Sequence, residues 1–147
     1  MAIVCLTADE IQARLVAVGV QPTAQRIAIC QYVLCDADHP SAEDVKLWAD
    51  KNFPKISLAT VYNTLSTLVG TGLLREYRFP HTDKTLYDNN IHEHHHMLDE
   101  STGKLYDIPT DQVSIELRLD QAMNKYQFTS MDLLIRGKQI NPVGGKK

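Results

Sequence analysis

Hydrophobic positions in the first half of the chain recur at helical spacing, and each run is bounded by capping or breaking residues. Thr7-Ala8-Asp9-Glu10 has the form of a capping box, with Ile11, Leu15 and Val18 following at helical intervals and Gly19 supplying a stop. Thr23 caps a second run carrying Ile27, Cys30, Val33 and Leu34, which ends near Asp36-Ala37-Asp38-His39-Pro40 and leaves His39 on an interhelical loop. Ser41-Ala42-Glu43-Asp44 opens a third helix with Val45 and Trp48 on one face, halted before Pro54. Ser57 opens a fourth, in which Leu58, Val61, Leu65 and Leu68 form an apolar stripe that ends at Gly70 and Gly72. Off that stripe lie Ala59, Thr60, Tyr62, Asn63 and Ser66, small or hydrogen-bonding side chains suited to close approach to a flat polar surface.

The pattern then shifts to strands. Leu73 to Phe79 and Lys84 to Tyr87 flank the turn-like Pro80-His81-Thr82-Asp83, and four helices followed by a hairpin give the outline of a winged helix-turn-helix. Beyond Tyr87, strands are expected at His94 to Leu98 and Lys104 to Ile108 around the turn Glu100-Ser101-Thr102-Gly103. A helix is expected from about Asp111 to Tyr126, and an alternating strand over Phe128 to Arg136 carries Met131, Leu133 and Ile135 on one face. The fold class is α+β: a winged-helix domain over 1–87, then a small α/β domain over 88–147. A strand-strand-helix-strand unit this small buries little surface alone, so dimerisation is expected to supply the rest. The end, Ile140 to Lys147, reads as a frayed tail.

Composition narrows the function. The 147 residues hold 15 Lys and Arg against 18 Asp and Glu. Residues 1–87 carry eight basic and nine acidic side chains and 88–147 seven and nine, so neither half is a basic polyanion binder by charge alone. A nucleic-acid role therefore has to come from motifs or added cations. No apolar run reaches the roughly 18 residues of a membrane span, and Met1 to Leu6 lacks a cationic leader, which points to a cytoplasmic protein with no membrane role. Cys5, Cys30 and Cys35 form no C-x-x-C pair, and this odd set reads as small buried hydrophobes rather than a disulfide framework.

The densest chemistry is Asp88-Asn89-Asn90-Ile91-His92-Glu93-His94-His95-His96, with four of the six histidines within five positions. On a strand, His94 and His96 share a face and His95 points away. Clustered imidazoles with carboxylates form a nitrogen and oxygen site for iron(II), manganese(II), zinc or cobalt(II), and Asp88 and Asp107 near strand ends are the expected carboxylates. His81 in the hairpin turn reads as simply exposed.

His39-Pro40-Ser41-Ala42-Glu43-Asp44, Ile56-Ser57-Leu58-Ala59-Thr60-Val61-Tyr62-Asn63-Thr64-Leu65, His94-His95-His96 and Gly103 with Asp107, in that order, resemble the ferric uptake regulator family, and Pro22-Thr23-Ala24-Gln25-Arg26 is similar to its second-helix region. The resemblance covers about residues 10 to 136. It implies a homodimeric, metal-dependent transcriptional regulator, usually a repressor, that binds double-stranded DNA at a palindromic operator and takes one regulatory divalent metal per subunit between two domains. Carried residue by residue, the ligands are His39, Asp88, His94, His96 and Asp107. The same resemblance gives recognition to the helix of Ser57, Thr60, Tyr62 and Asn63, and phosphate contact to Arg26, with Arg75 or Arg78 as further candidates.

Two departures refine the expectation. Where many members hold zinc with paired C-x-x-C motifs, this chain has Asp99 and Thr102 and no later pair, so no four-thiolate zinc site is expected. A second histidine-rich site is not expected either, since Ser114 stands where a carboxylate is wanted. Aspartate at 107 resembles the peroxide-sensing branch, in which bound iron(II) reacts with peroxide and a ligand histidine, here His39 or His94, is oxidised. The triple histidine is also similar to iron response regulators that bind haem, and the peroxide reading ranks ahead of it. A non-haem iron oxygenase with two histidines and a carboxylate is the contrasting enzyme reading. The five-ligand set and the lack of a nucleophile elbow or phosphate loop disfavour it.

Overall fold

A computed structural model of the chain describes residues 5–140, which separate into two compact units, Met1–Ile91 and His92–Lys147. The expected frayed tail from Ile140 lies, apart from Ile140 itself, outside the described residues.

The first unit is built from helices whose ends are set locally. Helix α1 (Ala8–Ala17) starts at Thr7, where the reciprocal capping box with Glu10 is formed, and Gly19 turns the chain at φ 76°. Helix α2 (Ala24–Gln31) is capped by Thr23 and runs into a π-helical turn, Tyr32–Asp36. Helix α3 (Ala42–Asn52) has its own capping box between Ser41 and Asp44, and α4 (Leu58–Gly70) is capped by Ser57. The buried faces of these helices meet in one core that includes Ile11, Leu15, Ile29, Val33, Val45, Val61, Leu65 and Leu68. Leu58, expected in the α4 stripe, is 38% exposed because it falls in the first turn, before the helix reaches the core. The hairpin is shorter than its apolar run suggests: β1 (Arg75–Arg78) pairs antiparallel with β2 (Thr85–Asp88), while Leu73 and Leu74 are buried as core side chains instead. Four helices and a two-stranded wing make the expected winged helix.

Leu65 is fully buried and sits on the face of α4 opposite the polar side chains. Leu65→Ala is expected to destabilise the protein by about 3 kcal/mol through lost burial and a residual cavity. Urea unfolding followed by circular dichroism measures this as a lower midpoint.

In the second unit β3 (His94–Asp99) is the central strand, antiparallel to β4 (Lys104–Pro109) and parallel to β5 (Leu134–Gly137). Gly103, at φ 76°, completes the tight turn between β3 and β4. Asp99 and Thr102, which stand where the resemblance implies a cysteine pair, are part of that turn: Asp99 accepts from the Ser101 amide and Thr102 from the Lys104 amide. Ser101's amide is the first cause that holds the Asp99 carboxyl below the usual carboxylate range.

Two expectations for this unit need correction. Residues 111–126 do not form an α-helix; short 3₁₀ turns at Thr110–Gln112 and Gln121–Lys125 flank non-helical backbone. The sequence explains it, because Val113, Ile115, Leu117 and Leu119 alternate with polar residues at a period of two, which cannot line one helix face. The last strand also begins at Leu134 rather than Phe128. Pairing starts at His96↔Leu134, and β3 begins only two residues before His96, so earlier residues have little strand to pair with.

Candidate metal centre and nucleic-acid interface

Donor groups converge separately in each unit. In the first, the Tyr87 amide donates to the Pro40 carbonyl at 2.9 Å and Ser41 bridges to Leu86, which fastens the loop before α3 alongside β2. That attachment brings His39, just before Pro40, to Asp88 at the end of β2: His39 Nε2 lies 3.4 Å from Asp88 Oδ2. His39 Nδ1 lies 2.6 Å from Asp38 Oδ1, so the ring proton on that side goes to a carboxylate and Nε2 is presented towards Asp88. His39 also holds φ at 47°, a left-handed conformation that costs an L residue on the order of 1 kcal/mol and that the surrounding hydrogen bonds maintain. Asp88 itself is buried and accepts from the Asn90 amide.

In the second unit the strand period does what the sequence implied. His94 Nε2 and His96 Nε2 are 3.1 Å apart on one face of β3. The register pairs His96 with Asp107 of β4, whose Oδ1 lies 3.6 Å from His94 Nε2 and 3.5 Å from His96 Nε2. His94 Nδ1 is 2.6 Å from the His92 carbonyl oxygen, which can only accept, so Nδ1 carries the proton and Nε2 presents its lone pair. His95 is buried on the other face with its Nδ1 unbonded, and His81 is exposed, as expected.

These spacings fit a metal. Donor atoms bound about 2.1 Å from one ion stand about 3.0 Å apart at a right angle and about 3.6 Å apart at a trigonal angle. The four donor separations in the two units lie within that range. In each unit an outer group, Asp38 or the His92 carbonyl, fixes a ring with Nε2 turned inward, the usual support for a metal-binding imidazole. The sequence reading named His39, Asp88, His94, His96 and Asp107 but missed those supports. Asp38 was legible from its place beside His39, whereas the His92 contribution is a backbone atom and leaves no side-chain signal.

The outer face of α4 exposes Ser57, Tyr62 and Asn63, with Thr60 half-buried. Ser57 Oγ and Thr60 Oγ1 share a 2.9 Å hydrogen bond at the cap, and the Tyr62 hydroxyl donates to Glu43 at 3.4 Å. Beside this face an open groove of about 500 Å³ is lined by Gly19, Val20, Gln21, Arg26, Asn63, Ser66 and Thr67. Arg26 Nη1 donates to the Gln21 carbonyl at 3.0 Å, while its buried Nε makes no hydrogen bond. Of the wing arginines, Arg75 donates to the Tyr77 hydroxyl and Arg78 is exposed.

The first unit is a winged helix, and histidine and carboxylate donors gather in both units. The ferric uptake regulator family matches residues 17–136, and the chain belongs to that family. It is 33% identical over 119 residues, 81% of this chain and 80% of the relative, to the peroxide-responsive repressor PerR of Staphylococcus aureus. A solved PerR from Streptococcus pyogenes, described for peroxide sensing and gene regulation, is 29% identical with a TM-score of 0.51 and 90% of each chain covered. The ferric uptake regulator of Helicobacter pylori has the same fold at a TM-score of 0.67 and 15% identity, with 95% of each chain covered.

Proposed function

We propose that this protein is a peroxide-responsive repressor in which one divalent ion, iron(II) or manganese(II), is held by His39 and Asp88 of the first unit and His94, His96 and Asp107 of the second. The observation that carries the reading is the donor geometry: in each unit the groups stand at metal-ligand spacing, with the histidine nitrogens turned inward by outer hydrogen bonds. The nitrogen and oxygen donor set suits iron(II) and manganese(II), and zinc binds such sets in vitro. When bound, iron(II) supplies the electron that activates hydrogen peroxide. The residues of this chain do the rest: Asp38 and the His92 carbonyl orient two rings, and Asp88 and Asp107 balance the ion's charge.

On this reading metal couples the two units and so selects the arrangement that grips two half-sites of a palindromic operator. Tyr62 and Asn63 read base edges from α4, while Arg26, which lines the groove beside them, holds a backbone phosphate. An operator with two half-sites takes two copies of the winged helix. Ile115, Leu117, Leu119, Tyr126 and Phe128, all exposed on the second unit, are the surface a second copy covers.

Fluorescence anisotropy with a duplex from the protein's own promoter tests the reading. Manganese(II) is expected to tighten binding by about tenfold to a hundredfold, the usual size of such coupling. Arg26→Ala is expected to weaken binding to all duplexes and lower the salt dependence by about one ion. An affinity indifferent to metal overturns the proposal.

A further inference from the structure

The cysteines depart from the sequence reading. Cys5 and Cys35 are joined by a disulfide, with Cα atoms 5.0 Å apart across a separation of 30 residues, and only Cys30 keeps the expected role of a buried apolar side chain. Burial pushes the Cys30 thiol up to about 12, so it stays protonated and inert. The pairing depends on tertiary structure: Cys5 lies just ahead of the α1 cap, and the π-helical turn after α2 brings Cys35 to it.

The position of that bond is informative. Cys35 belongs to the turn Tyr32–Asp36, which is closed by the Ala37 amide donating to the Tyr32 carbonyl at 2.9 Å, and Asp38 and His39 follow directly. The Asn89 side-chain amide donates to the carbonyls of Val33, Leu34 and Ala37 at 3.2 to 3.3 Å. Asn89 is next in sequence to Asp88, so the turn that holds Cys35 is hydrogen-bonded to the segments of both first-unit donors. π-Helical turns are rare and recur at functional sites, and here one end of a covalent staple lies within the turn.

We propose that Cys5 and Cys35 are a reversible dithiol–disulfide switch that sets the rigidity of the turn leading into His39. Cys5 is exposed and Cys35 half-buried, so the pair is open to exchange with small disulfides. In the first step the Cys5 thiolate attacks one sulfur of a low-molecular-weight disulfide, whose own S–S bond breaks and releases one thiolate. In the second the Cys35 thiolate attacks Cys5 Sγ of the mixed disulfide and expels the other thiolate. Two protein thiols are oxidised, losing two electrons and two protons, and one small disulfide is reduced to two thiols. In a reducing compartment such a bond forms and breaks in use rather than serving as a permanent brace.

The switch is tested on the full-length, metal-free protein equilibrated in glutathione redox buffers. Maleimide mass-tagging is expected to show a single intramolecular bond between Cys5 and Cys35 that reduced glutathione reverses. Amide hydrogen exchange over residues 33–39 is expected to slow at least tenfold in the oxidised form, with no redox effect in Cys5→Ser, whose fold circular dichroism verifies. Equal exchange in both forms, or bonds formed only between chains, overturns the proposal. Because the turn leads into a donor, its functional meaning rests on the metal reading above, and a manganese(II) titration separates the two. Slowed exchange with no manganese uptake in either form leaves the switch standing and sinks the metal site.

Discussion

Replacing His96 with alanine is expected to abolish the manganese-dependent gain in operator affinity while leaving the fold of the first unit intact. The first-unit core contains no part of β3, so the winged helix keeps its own packing. What is lost is one imidazole whose Nε2 lies 3.1 Å from that of His94 and 3.5 Å from Asp107. Removing a direct ligand should cost more than the tenfold to hundredfold typical of an outer support. Metal affinity is therefore expected to fall by more than about a hundredfold, and isothermal titration with manganese(II) reads this directly. Coupling then vanishes by linkage, because an ion that no longer binds cannot favour one arrangement over another. His81→Ala is the matched control, since that ring is exposed on the wing turn and should leave both affinities unchanged. A His96→Ala protein that still tightened on DNA with manganese would remove the second unit from the metal centre.

How much of this was legible in the sequence depended on how local the cause was. Thr7, Ser41 and Ser57 announced helix starts because a cap is decided within four residues, and all three hold the backbone amides expected of them. His94 and His96 were legible as a pair because a strand alternates every second residue, and Asp107 from its place near a strand end, whereas the register that sets it opposite His96 is a finding of the structure. The helix expected over residues 111–126 does not form, and the local pattern gives the reason: Val113 to Leu119 alternates by two, which is not a helical period. The Cys5–Cys35 bond and the Asn89 clamp were out of reach for a different reason. Each joins segments 30 or more residues apart whose meeting depends on the assembled core, and no local pattern records it.

The peroxide reading makes the sharpest demand on particular atoms. Iron(II)-loaded protein exposed to dilute hydrogen peroxide is expected to gain about 16 Da, an added oxygen, on His39 or His94, and to lose its metal-dependent affinity for the operator in the same dose range. Both rings have Nδ1 committed, one to Asp38 and the other to the His92 carbonyl, so each faces the ion through Nε2 and has its ring carbon between the nitrogens close to any oxidant generated there. Oxygen added at that carbon removes the Nε2 lone pair as a donor, which is why oxidation and release of DNA should track each other. Exposed His81, which is outside the donor set, is an internal standard, because oxidant diffusing through solvent would mark it as readily. Manganese(II)-loaded protein supplies the second control, since manganese(II) gives up an electron to peroxide far less readily and should protect both rings. Peptide mass spectrometry that found the added oxygen on His81 and the methionines, with His39 and His94 untouched, would leave a metal-dependent regulator whose signal is not peroxide. A Soret band on haem titration, lost when His94, His95 and His96 are all replaced, would then identify the competing signal.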